Sequence, residues 1–217
     1  MSDAQDPHAG QPVLHGGVPV ERARLVAIFI HGRGASAGDI LSLSEELTAG
    51  DVAYLAPQAA GSTWYPFSFL SPIPQNEPGI TSGLGTIARL IDGVAARGVP
   101  RERVVLLGFS QGACLSLEFA ARHAGRYAAV VGLSGGLIGP PGTPRDYAGA
   151  FEGTPVFLGC SDVDAHIPVA RVRESADVFR RMGAAVDERI YPRMGHTVNR
   201  DELAAVNALL LAAGASQ

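Results

Sequence analysis

Short apolar runs alternate along this chain with longer stretches in which apolar residues recur every third or fourth position. The runs "LVAIFI" (25–30), "VAYLAP" (52–57), "RVVLL" (103–107), "YAAVVGL" (127–133), "PVFLG" (155–159) and "AAVDERIY" (184–191) read as strands. Helical spacing predicts helices over about 36–47, 84–97, 111–123 and 169–182, with a last one starting near Asp201. In the second of these, Leu84, Ile87, Ile91 and Val94 share one face. Ahead of them all, "PVLHGGVPV" predicts a short hairpin turning at Gly16-Gly17. Continuous apolar strands separated by helices imply an α/β fold, with a mostly parallel sheet covered on both faces. Ligands of such sheets bind beyond the carboxyl ends of the strands, and there the chain keeps its glycines, serines, histidines and isolated carboxylates. No repeat of 20–50 residues is visible.

Composition narrows the picture. A chain of 217 residues with 47% hydrophobic content can bury the core of one domain, expected over 12–217 behind a flexible polar tail at 1–11. A net charge of −4, with no basic block longer than a pair, argues against nucleic acid and against stable association with an anionic membrane. The polar start "MSDAQDPHAGQ" has neither a basic nor an apolar segment of the kind that targets export, and Cys114 and Cys160 have no disulfide or metal spacing; both point to the cytoplasm.

Three segments match Gly-x-Ser-x-Gly, the pattern of a nucleophile elbow, and context separates them. Ser134 is followed by "GLIGPPGTPRD", whose prolines and glycines cannot continue as a helix, so it reads as a loop turn. Ser36 is separated from its strand by "HGRGA" and suits the N-cap of the next helix. Ser110 alone has a strand running up to it and helix formers directly after. A hydroxyl held in a sharp strand-to-helix turn is exposed to substrate, and it becomes a nucleophile when a base removes its proton. The bland reading is a small residue chosen for tight packing.

The base and its partners must come from further along the chain. His196, in "YPRMGHTVN" after the last strand, lies at the sheet edge expected for Ser110; His166 is the second candidate, and His123 reads as a cation at a helix C-terminus. An imidazole base needs a carboxylate on its other nitrogen, and "GCSDVDAHIP" offers Asp162 and Asp164, which spacing alone does not separate. With His166 they also form a D-x-D-x-H run that could ligate a divalent metal, although no second ligand cluster accompanies it. Backbone N–H groups of Gln111 and Arg33 are the natural oxyanion donors, one following the nucleophile and the other in the glycine-rich loop after the first parallel strand. The Arg33 side chain is expected to brace that loop through an ion pair.

In order, "HGRGASAGDIL", "TWYPFSFL", "GFSQGACLSLEFAAR", "DVDAHIP" and "YPRMGHTVN" resemble the phospholipase/carboxylesterase family of α/β hydrolases, which includes acyl-protein thioesterases. The resemblance runs from about Val13 to Leu211. It implies an α/β-hydrolase fold, no cofactor, and hydrolysis of carboxylic esters or thioesters by a Ser–Asp–His triad; the chain itself has no insertion large enough for a separate cap domain, and no metal is expected. Ser110 matches the family's nucleophile and His196 its base. The second aspartate of the family's D-x-D-x-x-[VI]-P segment matches Asp164. Cys160-Ser161, however, are two residues more than the family has after the strand glycine, and alignment on Gly159 selects Asp162 instead.

Between residues 58 and 82 lies a proline-rich loop without regular pattern, and a loop that long inside a compact domain is usually functional. Its Trp64, Tyr65, Phe67, Phe69 and Leu70 are expected either to line an acyl pocket, Trp64 and Tyr65 foremost, or to anchor the loop to the core. An open site suits short or medium acyl esters, with thioesters close behind. A non-catalytic binding module would keep the pocket without the Ser110 and His196 contexts, a dienelactone hydrolase would carry cysteine at the elbow, and a peptidase would need an acid placed for a leaving amine. The sequence leaves a homodimer open.

Overall fold

A computed structural model describes residues 6–215. Seven strands form one sheet in the order β1-β3-β2-β4-β5-β6-β7. They are β1 (Val13–Gly17), β2 (Leu25–Ile30), β3 (Val52–Pro57), β4 (Val104–Phe109), β5 (Ala129–Leu133), β6 (Pro155–Ser161) and β7 (Ala185–Tyr191). All neighbours pair in parallel except β1, which runs antiparallel to β3 at the edge. The expected hairpin at Gly16-Gly17 is therefore absent: Val13 to Gly17 pair with Pro57 to Ala53, because the edge of β3 offers unpaired backbone groups that a local turn would not satisfy.

β2, β3 and β5 are buried along their whole length, as are the first five residues of β4, which accounts for their lack of polar alternation. Helices α2 (Gly79–Ala95), α3 (Gln111–Arg122) and α4 (Val169–Arg181) cover one face, bringing Ile87 and Leu117 into one core with Val26, Ile28 and Leu106, and Phe179 over β6 and β7 into the same core with Val156 and Leu158. On the other face, α1 (Ala37–Leu41) and α5 (Arg200–Ala215) pack Ile40, Val206 and Leu210 against Phe29, Leu107 and Phe157. Among the described residues there is no separate cap domain, and no helix is long and apolar enough to cross a membrane.

Helix α1 is shorter than its pattern predicts, giving way to a 3₁₀ turn over Ser42–Glu46. Ser36 caps it: its Oγ accepts from Asp39 N, and the Asp39 carboxylate accepts from Ser36 N. The expected tail divides differently. Residues 1–5 lie outside the described residues, whereas Asp6 to Gln11 are held on the domain: His8 is 4% exposed, its Nε2 bonding Trp64 O at 2.8 Å and its Nδ1 accepting from Ala60 N at 3.1 Å. Asp6 adds bonds to Ser82 and Arg89. A histidine that satisfies two loop backbone groups belongs to the domain, whatever the polarity of its neighbours.

Candidate active site

The middle strand β4 delivers the first functional group. Its last residue, Phe109, leads into Ser110, whose backbone takes φ 55°, ψ −118° before α3 begins at once with Gln111. Such a conformation is costly for a residue with a Cβ. It is held by Ser110 N donating to Leu133 O at 2.9 Å and Cys114 N donating to Ser110 O at 3.0 Å. The flanking glycines are required by close approach: a Cβ on Gly108 would strike the Gly112 backbone, and one on Gly112 would strike the carbonyls of Ile30 and His31. The turn thus presses helix onto strand and leaves the Ser110 side chain at the carboxyl edge of the sheet.

The loop after β7 brings His196 to it. His196 Nε2 lies 2.8 Å from Ser110 Oγ, and His196 Nδ1 lies 2.7 Å from Asp164 Oδ2. With Nδ1 protonated toward the carboxylate, Nε2 is left to accept from the hydroxyl. The Phe109 ring, 4.9 Å from the imidazole centroid, forms its backing. The Asp164 side chain is 0% exposed, and its second oxygen accepts from His166 N at 2.8 Å and Ile167 N at 3.0 Å. Burial works against its ionisation, but the bonds from His196 and the two backbone N–H groups outweigh it and hold the carboxyl below the usual carboxylate range.

Asp162 is turned elsewhere, its Oδ1 accepting from Arg193 N at 2.7 Å. The reason lies in β6, which continues two residues past Gly159: Cys160 and Ser161 pair with Ile190 and Tyr191, so the turn that presents a carboxylate to His196 starts only afterwards. Asp162, Asp164 and His166 consequently do not converge as a metal cluster; the two carboxylates serve different loops. The His166 ring instead packs edge-on against His196, 4.8 Å between centroids. His123 stacks on Phe119, and burial together with Arg101 and Arg122 lowers its affinity for a proton, contrary to the expected helix-end cation.

Ser110, His196 and His166 face a cavity of about 340 Å³ whose other walls include Tyr65, Phe67, Phe69 and Ile167. Trp64 does not reach it. It is 0% exposed, sits between the rings of His8 and His31, and donates its indole N–H to His31 O at 2.9 Å, which makes it the anchor of the loop and not its lining. Cys114 lies in the cavity floor, but burial pushes its thiol up to about 12, leaving it a neutral wall. The backbone N–H groups of Gln111 and Arg33 find no acceptor among the described residues. No ion pair involves Arg33 there; its guanidinium donates to the carbonyls of Tyr65, Pro66 and Phe67 at 2.9, 2.8 and 2.6 Å.

Three supporting side chains act in ways that the motifs containing Gln111 and His31 do not specify, and Asn76 lies in no motif at all. The Gln111 side chain accepts from Trp64 N at 2.9 Å and donates to Tyr65 O at 2.8 Å, tying the aromatic loop to the elbow. Buried Asn76 does the same within the loop, accepting from Phe67 N and donating to Ser68 O, both at 2.8 Å. His31 bonds Gly32 O through Nδ1 and accepts from Ala59 N at 3.0 Å, with burial disfavouring its charged form. Only their context, next to Ser110 or inside a long loop, singled out their neighbourhood.

A strained serine between the middle strand and its helix, with a carboxylate supplied from the loop after β6 and an imidazole from the loop after β7, defines an α/β hydrolase architecture. The comparisons agree. A sequence model of the Phospholipase/Carboxylesterase family matches residues 18–212, and the chain belongs to that family of hydrolases. It is similar to a phospholipase/carboxylesterase of Dyadobacter fermentans whose crystal structure superposes with a TM-score of 0.89 at 40% identity, covering 93% of this chain and 97% of that one. Acyl-protein thioesterase 1 of Saccharomyces cerevisiae is 26% identical over 85% of this chain and 90% of its own length. That of Gibberella zeae is 33% identical, but the match spans 52% of this chain and 49% of that protein.

Proposed function

We propose that this chain is a serine carboxylesterase that hydrolyses short- to medium-chain carboxylic esters, with Ser110 as nucleophile, His196 as base and Asp164 as the acid behind it. One observation carries the reading: an unbroken run of hydrogen bonds, 2.8 Å from Ser110 Oγ to His196 Nε2 and 2.7 Å from Nδ1 to the Asp164 carboxylate. A substrate carbonyl over Ser110 takes its attack while Nε2 accepts the proton, and Asp164 stabilises the resulting imidazolium. The developing oxyanion takes the unspent N–H groups of Gln111 and Arg33. His196 then returns the proton to the leaving alkoxide, giving an acyl-enzyme, and in the second half activates water to release the acid.

The open cavity beside Ser110, walled by Tyr65, Phe67 and Phe69, supports a modest acyl group, held with no cofactor. Thioesters are the competing substrates, a reading favoured by the relatives named acyl-protein thioesterase 1. Two buried free thiols, Cys114 and Cys160, support a reducing, cytoplasmic setting. The test is turnover of 4-nitrophenyl esters and matched acyl thioesters from two to twelve carbons, with Ser110→Ala as control. Turnover peaking below about eight carbons and lost in Ser110→Ala is expected; wild-type rates in that variant would overturn the reading.

A further inference from the structure

The cavity beside Ser110 carries a charge that the hydrolytic chemistry does not use. Among its described lining residues there is no Asp or Glu, and Arg33 is the only Asp, Glu, Lys or Arg present. Arg33 makes no ion pair among the described residues; its partners are three neutral carbonyls. The triad carboxylate, Asp164, is 0% exposed, does not line the cavity and is engaged by His196 and two backbone N–H groups, so it does not pair with Arg33. On a chain of net charge −4, the cavity wall at the point of chemistry thus carries one cation without an ionic partner, and an exposed charge in a cleft favours ligands of the opposite sign.

The arrangement is also prepared for an acceptor. A guanidinium has five N–H donors, and the carbonyls of Tyr65, Pro66 and Phe67 take three, leaving two unspent. The same three bonds fix the side chain, so little rotamer freedom remains to be lost when an anion docks. Bracing the loop explains the hydrogen bonds, but it does not require a charge without a partner.

We propose that Arg33 is a specificity-determining residue that selects esters bearing an anionic group, a carboxylate above all, close to the scissile bond. The inference rests on the ester-hydrolase reading and names its substrate class. The anion can lie on the acyl or on the alcohol side, and the test separates the two. On the acyl side, 4-nitrophenyl hydrogen glutarate is compared with its methyl-capped neutral ester; on the alcohol side, 4-acetoxybenzoate is compared with methyl 4-acetoxybenzoate. Each is measured at low salt and in 0.5 M NaCl, net of the uncatalysed rate.

For one pair, the charged ester should exceed its neutral match by roughly tenfold in kcat/KM in the wild type, a margin that salt reduces. Arg33→Gln should bring the ratio to about one, whereas Arg33→Lys, which keeps the charge but cannot span three carbonyls, should lower both rates and keep most of the ratio. A ratio near one for both pairs in the wild type, or one that survives Arg33→Gln, overturns the inference while leaving the hydrolase reading intact. Should the Gln variant not fold, the salt dependence of the wild-type ratio decides alone: a ratio unmoved by 0.5 M NaCl overturns it. If the wild type turns over none of the four esters, the hydrolase reading itself falls, and the anion preference with it.

Discussion

Replacing Asp164 with asparagine probes the proposed mechanism where small changes are most legible. One Asp164 oxygen accepts two backbone N–H groups and the other faces His196 Nδ1. An asparagine has one carbonyl oxygen for these two tasks. Keeping the backbone bonds turns its NH₂ toward Nδ1, which must then act as acceptor, and the proton moves to Nε2. That nitrogen now points a proton at Ser110 Oγ and cannot take one. By analogy with other triads, the wrong tautomer costs roughly 10³–10⁴ in kcat, about 4–5 kcal/mol of transition-state stabilisation. Asp162→Asn is the matched control, because its single bond from Arg193 N can be kept by an amide carbonyl. Steady-state kinetics on a 4-nitrophenyl ester should show the large loss for Asp164→Asn and less than about threefold for Asp162→Asn. Equal losses, or a loss below tenfold at Asp164, would refute the reasoning.

Gly112→Ala forces a Cβ into the carbonyls of Ile30 and His31, which no side-chain rotation relieves; a loss of about 1–3 kcal/mol is expected, seen as a fall in Tm of about 2–4 °C for each kcal/mol. Buried Glu202 closes a capping box with Asn199, but burial, the largest influence, raises its carboxyl from 4.5 to about 7. Because the folded chain prefers the protonated form, this group's contribution is complete below about pH 4.5 and is lost as the pH rises through about 7, by up to about 3 kcal/mol. Glu202→Gln keeps an accepting oxygen without the titration, so urea melts should show the variant gaining on wild type between pH 5 and pH 8; an unchanged difference would contradict the assignment.

The parallel sheet was readable because its central strands are buried on both faces and leave no polar alternation to confuse with helix. The elbow was readable because strand, Gly-x-Ser-x-Gly turn and helix follow one another without a break, and Gly108 answers to the Gly112 backbone only four residues on. What resisted reading depends on partners far along the chain. Helix α2 starts at Gly79, five residues before its apolar stripe; Gly79 and Gly83 resemble a loop in sequence, yet they leave room for the Trp64–Tyr65 backbone and for Leu115. Strand β1 finds its partner forty residues on, in β3. Asp162 and Asp164 have the same parity and neighbours, and only the length of β6 against β7 decides which one faces His196. Trp64 and Tyr65 are adjacent aromatics, and whether each anchors or lines is set by His8, His31 and Gln111, none of them nearby in sequence.

The most direct trial of the nucleophile is covalent capture. A fluorophosphonate ester reacts with a serine only when a base has activated it and its oxygen is open to the cleft. After brief treatment and digestion, mass spectrometry should find one adduct on the peptide carrying Ser110, absent when His196 is replaced by alanine. An unlabelled chain, or a label on Ser36 or Ser134 in its place, would contradict the account.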